Sequence, residues 1–172
     1  MSSKNDKKAS VIVCFLRHGK SHPPGSVPDE ERQLLDEGRE QLRAAGTTWR
    51  RLGIRPVAVF TSPRQRSIDS AQLFIEGVGL KLRPTVSAAL APGAQWRDFR
   101  KLLKDRRVHE ALAFVGHEPD LSAAVAHLTG ATRVRLQEGG LCCVELLPSA
   151  RKGSGVLTVL LDPALYRDED GK

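Results

Sequence analysis

Arg17 and His18 close an unbroken apolar run over residues 11–16, and Gly19 follows them. An imidazole carries a lone pair or a proton near neutral pH, and a guanidinium grips oxyanions through a rigid fork of N–H donors. Two further places repeat the arrangement. The run 57–60 leads into Ser62, Pro63, Arg64, Gln65 and Arg66, and the run 111–115 leads into Gly116, His117, Glu118 and Pro119. Two imidazoles and several guanidiniums, each just beyond an apolar run, suit the binding and transfer of a phosphoryl group. The sequence has no Walker lysine loop, no dinucleotide glycine pattern and no acidic cluster suited to magnesium.

The elements that must position these groups follow from periodicity. Runs 11–16 and 111–115 are continuous and apolar, with charge on both sides, as strands buried on both faces are. Ligands of open α/β sheets bind outside the carboxyl ends of parallel strands. A mostly parallel sheet therefore gathers Arg17, His18, Arg64, Arg66 and His117 on one edge. The loop over 22–31, rich in proline and glycine, is expected to lie over that edge.

Helices are predicted between the strands. Gly38, Leu42, Ala45, Trp49 and Leu52 share one face of a helix from about Asp36, which Gly53 ends and Gly46 weakens. Ser62 reads as an N-cap, Pro63 as the first helical residue and Gln65 as the end of a capping box. Arg64 and Arg66 would then stand where the helix dipole is positive, either as solvated surface groups or facing a waiting anion. Trp96, Phe99, Leu102 and Leu103 mark a helix over 96–106. Pro119 opens another, with Leu121, Ala124, Val125 and Leu128 inward and Gly130 closing it.

Residues 80–86 read as an edge strand, because Lys81 and Arg83 alternate with apolar neighbours. Three strands without intervening helices are expected over 133–136, 141–147 and 156–161, the last two antiparallel about a turn at 152–155. The predicted fold class is α/β: a three-layer sandwich with a mostly parallel central sheet flanked by helices, and antiparallel strands near the C-terminus. Residues 10–166 form the single expected domain, with a loose tail over 1–9 and a charged tail over 167–172.

Composition narrows the partners. The chain has 172 residues, 40% of them apolar and 27% charged, with a formal charge of +7. A positive balance attracts anions. However, the cations are interleaved with acids, and aromatics are only 5%, too few for a base-stacking surface. Nucleic acid is not expected as a partner. No apolar run approaches the ~20 residues of a membrane span, so no membrane role and a cytoplasmic location are expected. The cysteines, Cys14, Cys142 and Cys143, are odd in number and show no C-x-x-C spacing. They are expected to be reduced core thiols, with no metal site and no cofactor.

Four blocks carry a family resemblance. Leu16-Arg17-His18-Gly19-Lys20-Ser21 is similar to the hallmark of the histidine phosphatase superfamily, the phosphoglycerate-mutase-like clan. Residues 32–41 resemble its R-P-L-T-x-x-G-x-x-Q block, with Gln33 and Leu35 in place of Pro and Thr. Residues 62–71 resemble its S-P-x-x-R-A-x-x-T-A block, with Ser67 and Ser70 in place of Ala and Thr. Residues 115–122 are similar to the fourth block in the form typical of SixA-type phosphohistidine phosphatases. The blocks keep the family's order over residues 11 to about 130.

The resemblance implies a phosphatase with His18 as nucleophile and a phosphohistidine enzyme intermediate. It selects Arg66 over Arg64 as the phosphate-binding arginine and leaves His22, His109 and His127 without a role. The implied catalytic set is His18, His117, Arg17 and Arg66, with Arg17, Arg66, Ser21 and Glu118 binding substrate. His18 is expected to be neutral because Arg17, Arg66 and a protonated His117 stand near it. Many relatives carry an acid in the loop after the third strand, which here, over 88–94, has no carboxylate. That favours phosphohistidine on a protein as substrate, although Asp29, Asp98 or Glu118 could supply a proton. A small phosphate ester and a non-catalytic phosphate-binding module are the alternatives, and a phosphate or sulfate ion is expected to fit the pocket in each case.

Overall fold

The computed structural model describes residues 10–103, 110–146 and 151–166. Along the chain run β1 (Val11–Arg17), α1 (Asp36–Arg51), β2 (Ala58–Thr61), α2 (Gln65–Gly77), β3 (Thr85–Val86), α3 (Trp96–Leu102), β4 (Ala111–Gly116), α4 (Asp120–Thr129), β5 (Leu141–Leu146) and β6 (Val156–Leu161). The six strands form one sheet in the order β3-β2-β4-β1-β5-β6. β3, β2, β4 and β1 are mutually parallel, β5 runs antiparallel to β1, and β6 runs antiparallel to β5.

β1 is apolar from Val11 to Leu16 because it lies inside the sheet with a helical layer on each face. Its alternate residues serve two cores. Cys14 and Leu16 join Leu42 and Trp49 of α1 and Phe74 of α2. Val13 and Phe15 join Phe99 of α3 and Leu121, Val125 and Leu128 of α4. The architecture is thus the expected three-layer α/β sandwich with antiparallel strands at the C-terminal side.

Gly46, which weakens α1 as an isolated helix, has a packing role. A Cβ there would come within 2.7 Å of the Gly77 Cα, so α1 and α2 cross with backbones in contact. Helix propensity alone makes Ala the better residue by ~1 kcal/mol. Overpacking costs typically 1–3 kcal/mol and acts on rigid backbone here. We expect Gly46→Ala to lower stability by about 2 kcal/mol, read as a lower urea midpoint at unchanged slope.

Several expectations are corrected. Residues 133–136 form no strand. The Leu136 N–H donates to Ser122 Oγ at 3.1 Å and its carbonyl accepts from Arg17 Nη1 at 3.0 Å, so side chains, not a ladder, satisfy this backbone. Of 80–86 only Thr85–Val86 pairs with β2. α3 ends at Leu102. His109, Leu147, the end of the helix predicted to 106 and both predicted tails lie outside the described residues.

The cysteine expectation also fails in part. Cys14 and Cys143 face each other directly in the β1–β5 register and form a disulfide. Cys142 points to the opposite face and remains a buried thiol, which burial pushes up to about 12. The pairing depends on strand register, to which residue spacing alone is blind.

Candidate active site

The parallel register brings the three strand ends together. Arg17 pairs with Gly116 across β1–β4, and Thr61 pairs with Val115 across β2–β4. The next residues of each strand are therefore neighbours at one edge: His18, Ser62 and His117. The two imidazole centroids lie 5.2 Å apart. A cavity of about 300 Å³ opens over them, lined by Arg17, His18, Asp29, Arg32, Arg66, His117 and Glu118, with Pro24 and Pro92.

His18 is held in one tautomer. Its Nδ1 lies 2.8 Å from the Gly19 carbonyl, which can only accept, so Nδ1 carries the proton and Nε2 the free lone pair. The His18 N–H donates to the Gly116 carbonyl at 3.1 Å, and the Gly19 N–H donates to Ser70 Oγ at 3.0 Å. Ser70 in turn donates to the Arg66 carbonyl at 2.7 Å. Serine at 70 keeps the hydroxyl of the threonine found in the family pattern, and so keeps this link. Gly38 is required on the far side of the loop. A Cβ there would collide with the Lys20 carbonyl oxygen and lie 2.8 Å from the Lys20 nitrogen, because the first turn of α1 presses on the loop backbone.

Burial is the largest influence on both imidazoles. It lowers His18 to about 3, with the charges of His117, Arg66 and Arg17 adding to it and the Gly19 hydrogen bond opposing it. It lowers His117 to about 4, with Arg66 adding and Asp29 opposing. Both rings are neutral at pH 7. This corrects the expectation of a protonated His117: desolvation, rather than a cationic neighbour ring, has the largest effect on His18.

The unfolded chain therefore protonates first. Between about pH 6.5 and pH 3 it binds more protons than the folded chain, so each unit of acidification in that window favours unfolding. We expect the melting temperature to fall steadily from pH 6.5 to pH 4. Replacement of His18 by Asn should flatten that fall while leaving the pH 7–8 range level.

Arg66 enters from the first turn of α2 and its side chain is 3% exposed. Its Nε–H points at His18 Nε2 across 3.4 Å. Nη1 donates to the Asp29 carbonyl at 2.8 Å and Nη2 to the Asp29 carboxylate at 2.9 Å. Arg17 spans to the Leu136 carbonyl, with Glu138 at 3.8 Å. Glu118 lines the cavity, and burial raises its carboxyl, opposed by the Ser122 hydrogen bond and Arg17.

Ser21 is buried but does not line the cavity. Its Oγ accepts from Arg32 Nη2 at 3.1 Å, so it positions Arg32 instead of meeting a ligand itself. Arg64 turns away to Asp29 and Glu30 at 3.1 and 2.9 Å. His127 stacks near Trp96 with centroids 6.0 Å apart, and Asp98 caps α3 and pairs with Lys101 at 2.9 Å. His22 accepts from Arg32 through its carbonyl at 2.7 Å. Arg64, His127, Asp98 and His22 all lie outside the lining of the cavity.

Two groups at the site, Ser62 and Arg32, have no such part by residue order alone, and a third, Asp29, stands there only as one of three acids that could supply a proton. Ser62, which reads as a helix cap, has its Oγ 2.7 Å from His117 Nε2, and α2 begins only at Gln65. Arg32 lines the cavity. It opens the second block, and that position was the available signal. Asp29 places a carboxylate among Arg32, Arg64 and Arg66. Only the loop's return over the sheet edge brings it there.

Residues 13–91 match the family model of the histidine phosphatase superfamily (branch 1). The protein histidine phosphatase SixA complexed with tungstate superposes with a TM-score of 0.78 at 20% identity, over 89% of this chain and 97% of that one. The fold is that of the histidine phosphatase superfamily. A putative phosphohistidine phosphatase SixA from Agrobacterium tumefaciens follows, with a TM-score of 0.72 and 18% identity, over 88% of this chain and 97% of its own. Mycobacterial glucosyl-3-phosphoglycerate phosphatase superposes with a TM-score of 0.65 at 16% identity, over 87% of this chain and 98% of that one. Among curated proteins none matches the sequence. Among the described residues no helix is long and apolar enough to cross a membrane.

Proposed function

We propose that this chain is a phosphatase that works through a phosphohistidine enzyme intermediate on His18, and that its substrate is phosphohistidine on a protein. The observation that carries the reading is the tautomer lock on His18. Its Nδ1–H is spent on Gly19, and its unprotonated Nε2 faces Arg66 inside a cavity that also holds Arg17, Arg32 and His117.

The groups divide the work. His18 Nε2 attacks phosphorus as the bond to the leaving atom breaks. Arg17, Arg66 and Arg32 hold the phosphoryl oxygens, whose charge spreads in the transition state. His117 is neutral at pH 7. It gains a proton as a dianion enters beside it and then donates to a phosphoryl oxygen, while Ser62 fixes its ring. Water then attacks the phosphoenzyme and releases phosphate.

The loop over 88–94 contributes Pro92 to the cavity and no carboxylate. A phosphoramidate nitrogen leaves more readily than an alkoxide, which supports phosphohistidine. Asp29 in the cavity favours a second reading, a small phosphate ester. The test is to mix the protein with a phosphohistidine protein and with a panel of phosphate esters, and to map the trapped label. We expect acid-labile label on His18 and faster turnover of the phosphohistidine protein. A strong preference for an ester would reverse the substrate assignment, and the absence of label on His18 would end the mechanism.

A further inference from the structure

The strongest unexplained contact in the cavity is between Asp29 and Arg66. Asp29 is an anion standing where an anionic ligand must bind. Its carboxylate accepts from Arg66 at 2.9 Å and from Arg32 at 3.1 Å, and it forms an ion pair with Arg64 Nε at 3.1 Å. Three nitrogens of Arg66 are engaged at once: one toward His18 and two on Asp29. A phosphoryl group close enough for His18 Nε2 to attack must meet the same guanidinium. Substrate therefore competes with Asp29 for Arg66.

We propose that Asp29 is a further catalytic residue, which yields Arg66 to the incoming phosphoryl dianion, takes up a proton as it does so, and passes that proton to the leaving atom. The proposal rests on the phosphatase reading above. Burial pushes the Asp29 carboxyl up, but the hydrogen bonds from Arg66 and Arg32 and the charges of Arg66 and Arg64 outweigh it and hold it below the usual carboxylate range. Substrate reverses the balance. It removes the buried cation from Asp29 and sets a dianion beside it, and both changes favour the neutral acid.

The surroundings agree with that direction. Around Asp29 stand Glu30 and Arg32 of its own loop, Arg64 just before α2 and Arg66 in its first turn, while Arg17, His18, His117 and Glu118 line the same cavity from the end of β1 and from just beyond β1 and β4. A bound dianion occupies the cations among them and leaves the carboxylates as its neighbours. The side chain of Asp29 is 41% exposed, so solvent can supply the proton.

The atoms balance. The bond from phosphorus to the bridging oxygen or nitrogen breaks as the bond from His18 Nε2 to phosphorus forms, and the bridging atom receives the Asp29 proton. Asp29, now a carboxylate, accepts a proton from the attacking water. The His18–phosphorus bond breaks, and the hydroxyl remains on the phosphate that leaves.

Two measurements on the full chain test this. Tungstate is a dianion with no proton to lose at neutral pH. Calorimetric titration with tungstate at pH 7, in buffers of different ionisation enthalpy, should show the chain that keeps Asp29 taking up more protons than Asp29→Asn, by up to about one per ion. Because the Asp29 charge raises His117, both chains in this comparison also carry His117→Asn, so that only Asp29 differs. On an alkyl phosphate, Asp29→Asn should lower kcat/KM about 100-fold, and on p-nitrophenyl phosphate, whose leaving group needs no proton, less than about threefold. Asp29→Glu should recover part of the alkyl activity.

Equal proton uptake in the two chains, an equal loss on both esters, or a gain on both would overturn the acid role. A gain on both would make Asp29 only a competitor for Arg66. A native chain that cleaves neither ester nor a phosphohistidine protein would overturn the phosphatase reading itself, and the acid role with it, whatever the calorimetry shows.

Discussion

His18→Ala is expected to lower kcat by about 10⁴-fold or more, since it removes the lone pair that the Gly19 carbonyl fixes toward the cavity. The lone pair that attacks is fixed by the 2.8 Å contact from Nδ1 to the Gly19 carbonyl. Substitutions of His117, Arg66 or Arg17 would still leave a nucleophile in place, whereas this alanine removes it. The fold should survive. The substitution leaves the His18 N–H bond to Gly116 and the Gly19 N–H bond to Ser70 intact, because both use backbone donors of the loop. The decisive measurement is stopped-flow turnover paired with tungstate binding. Activity should vanish while tungstate still binds through Arg17, Arg32 and Arg66. Retained turnover would remove His18 from the chemistry altogether. Free imidazole added to the variant should restore a small part of the rate, because the space left by the ring is lined by the same cations.

Arg66→Lys is expected to lower kcat/KM about 10³-fold, despite retaining the charge. An ammonium cannot reach His18 Nε2 and two acceptors on Asp29 from one planar fork, as the guanidinium does at 3.4, 2.8 and 2.9 Å. The arginine is 3% exposed, so a misplaced lysine charge would be left without full solvation or full pairing. Two effects then oppose each other. Loss of the grip on phosphoryl oxygens slows the reaction, while loss of the Asp29 contacts frees the cavity for ligand. The first should dominate, because transition-state charge sits on those oxygens and Asp29 is still held by Arg32 and Arg64. A fall in kcat with tungstate affinity changed much less would show that the guanidinium acts chiefly in the transition state. A KM effect alone would assign Arg66 to ground-state binding.

Much of this site was legible from residue order because its main groups sit directly beyond buried strands. Arg17, His18 and His117 follow apolar runs whose β-branched character and charged flanks mark them as internal strands, and Arg66 lies in the helix turn after a third. In a parallel sheet all such ends share one edge, so periodicity plus topology places the groups without knowledge of any contact. The two-faced core has the same origin: alternate residues of β1 serve opposite layers, as a strand period of two requires.

Other features answered to tertiary structure. Ser62 satisfies every local rule for a helix cap, yet its hydroxyl serves His117 across strands, and the helix starts later. Gly46 is a poor helix residue whose value exists only where Gly77 of another helix touches it. Cys14 and Cys143 are joined by register, and Leu136 looks like a strand residue whose backbone is claimed by Arg17 and Ser122. Asp29 is the clearest instance. Residue order offers it only beside Asp98 and Glu118 as a possible proton source, but the return of its loop over the sheet edge sets it against three guanidiniums. Periodicity along the chain determined which residues reach the edge, because strand and helix geometry are short-range. What meets what at that edge was decided by loop paths and register, which depend on long-range packing.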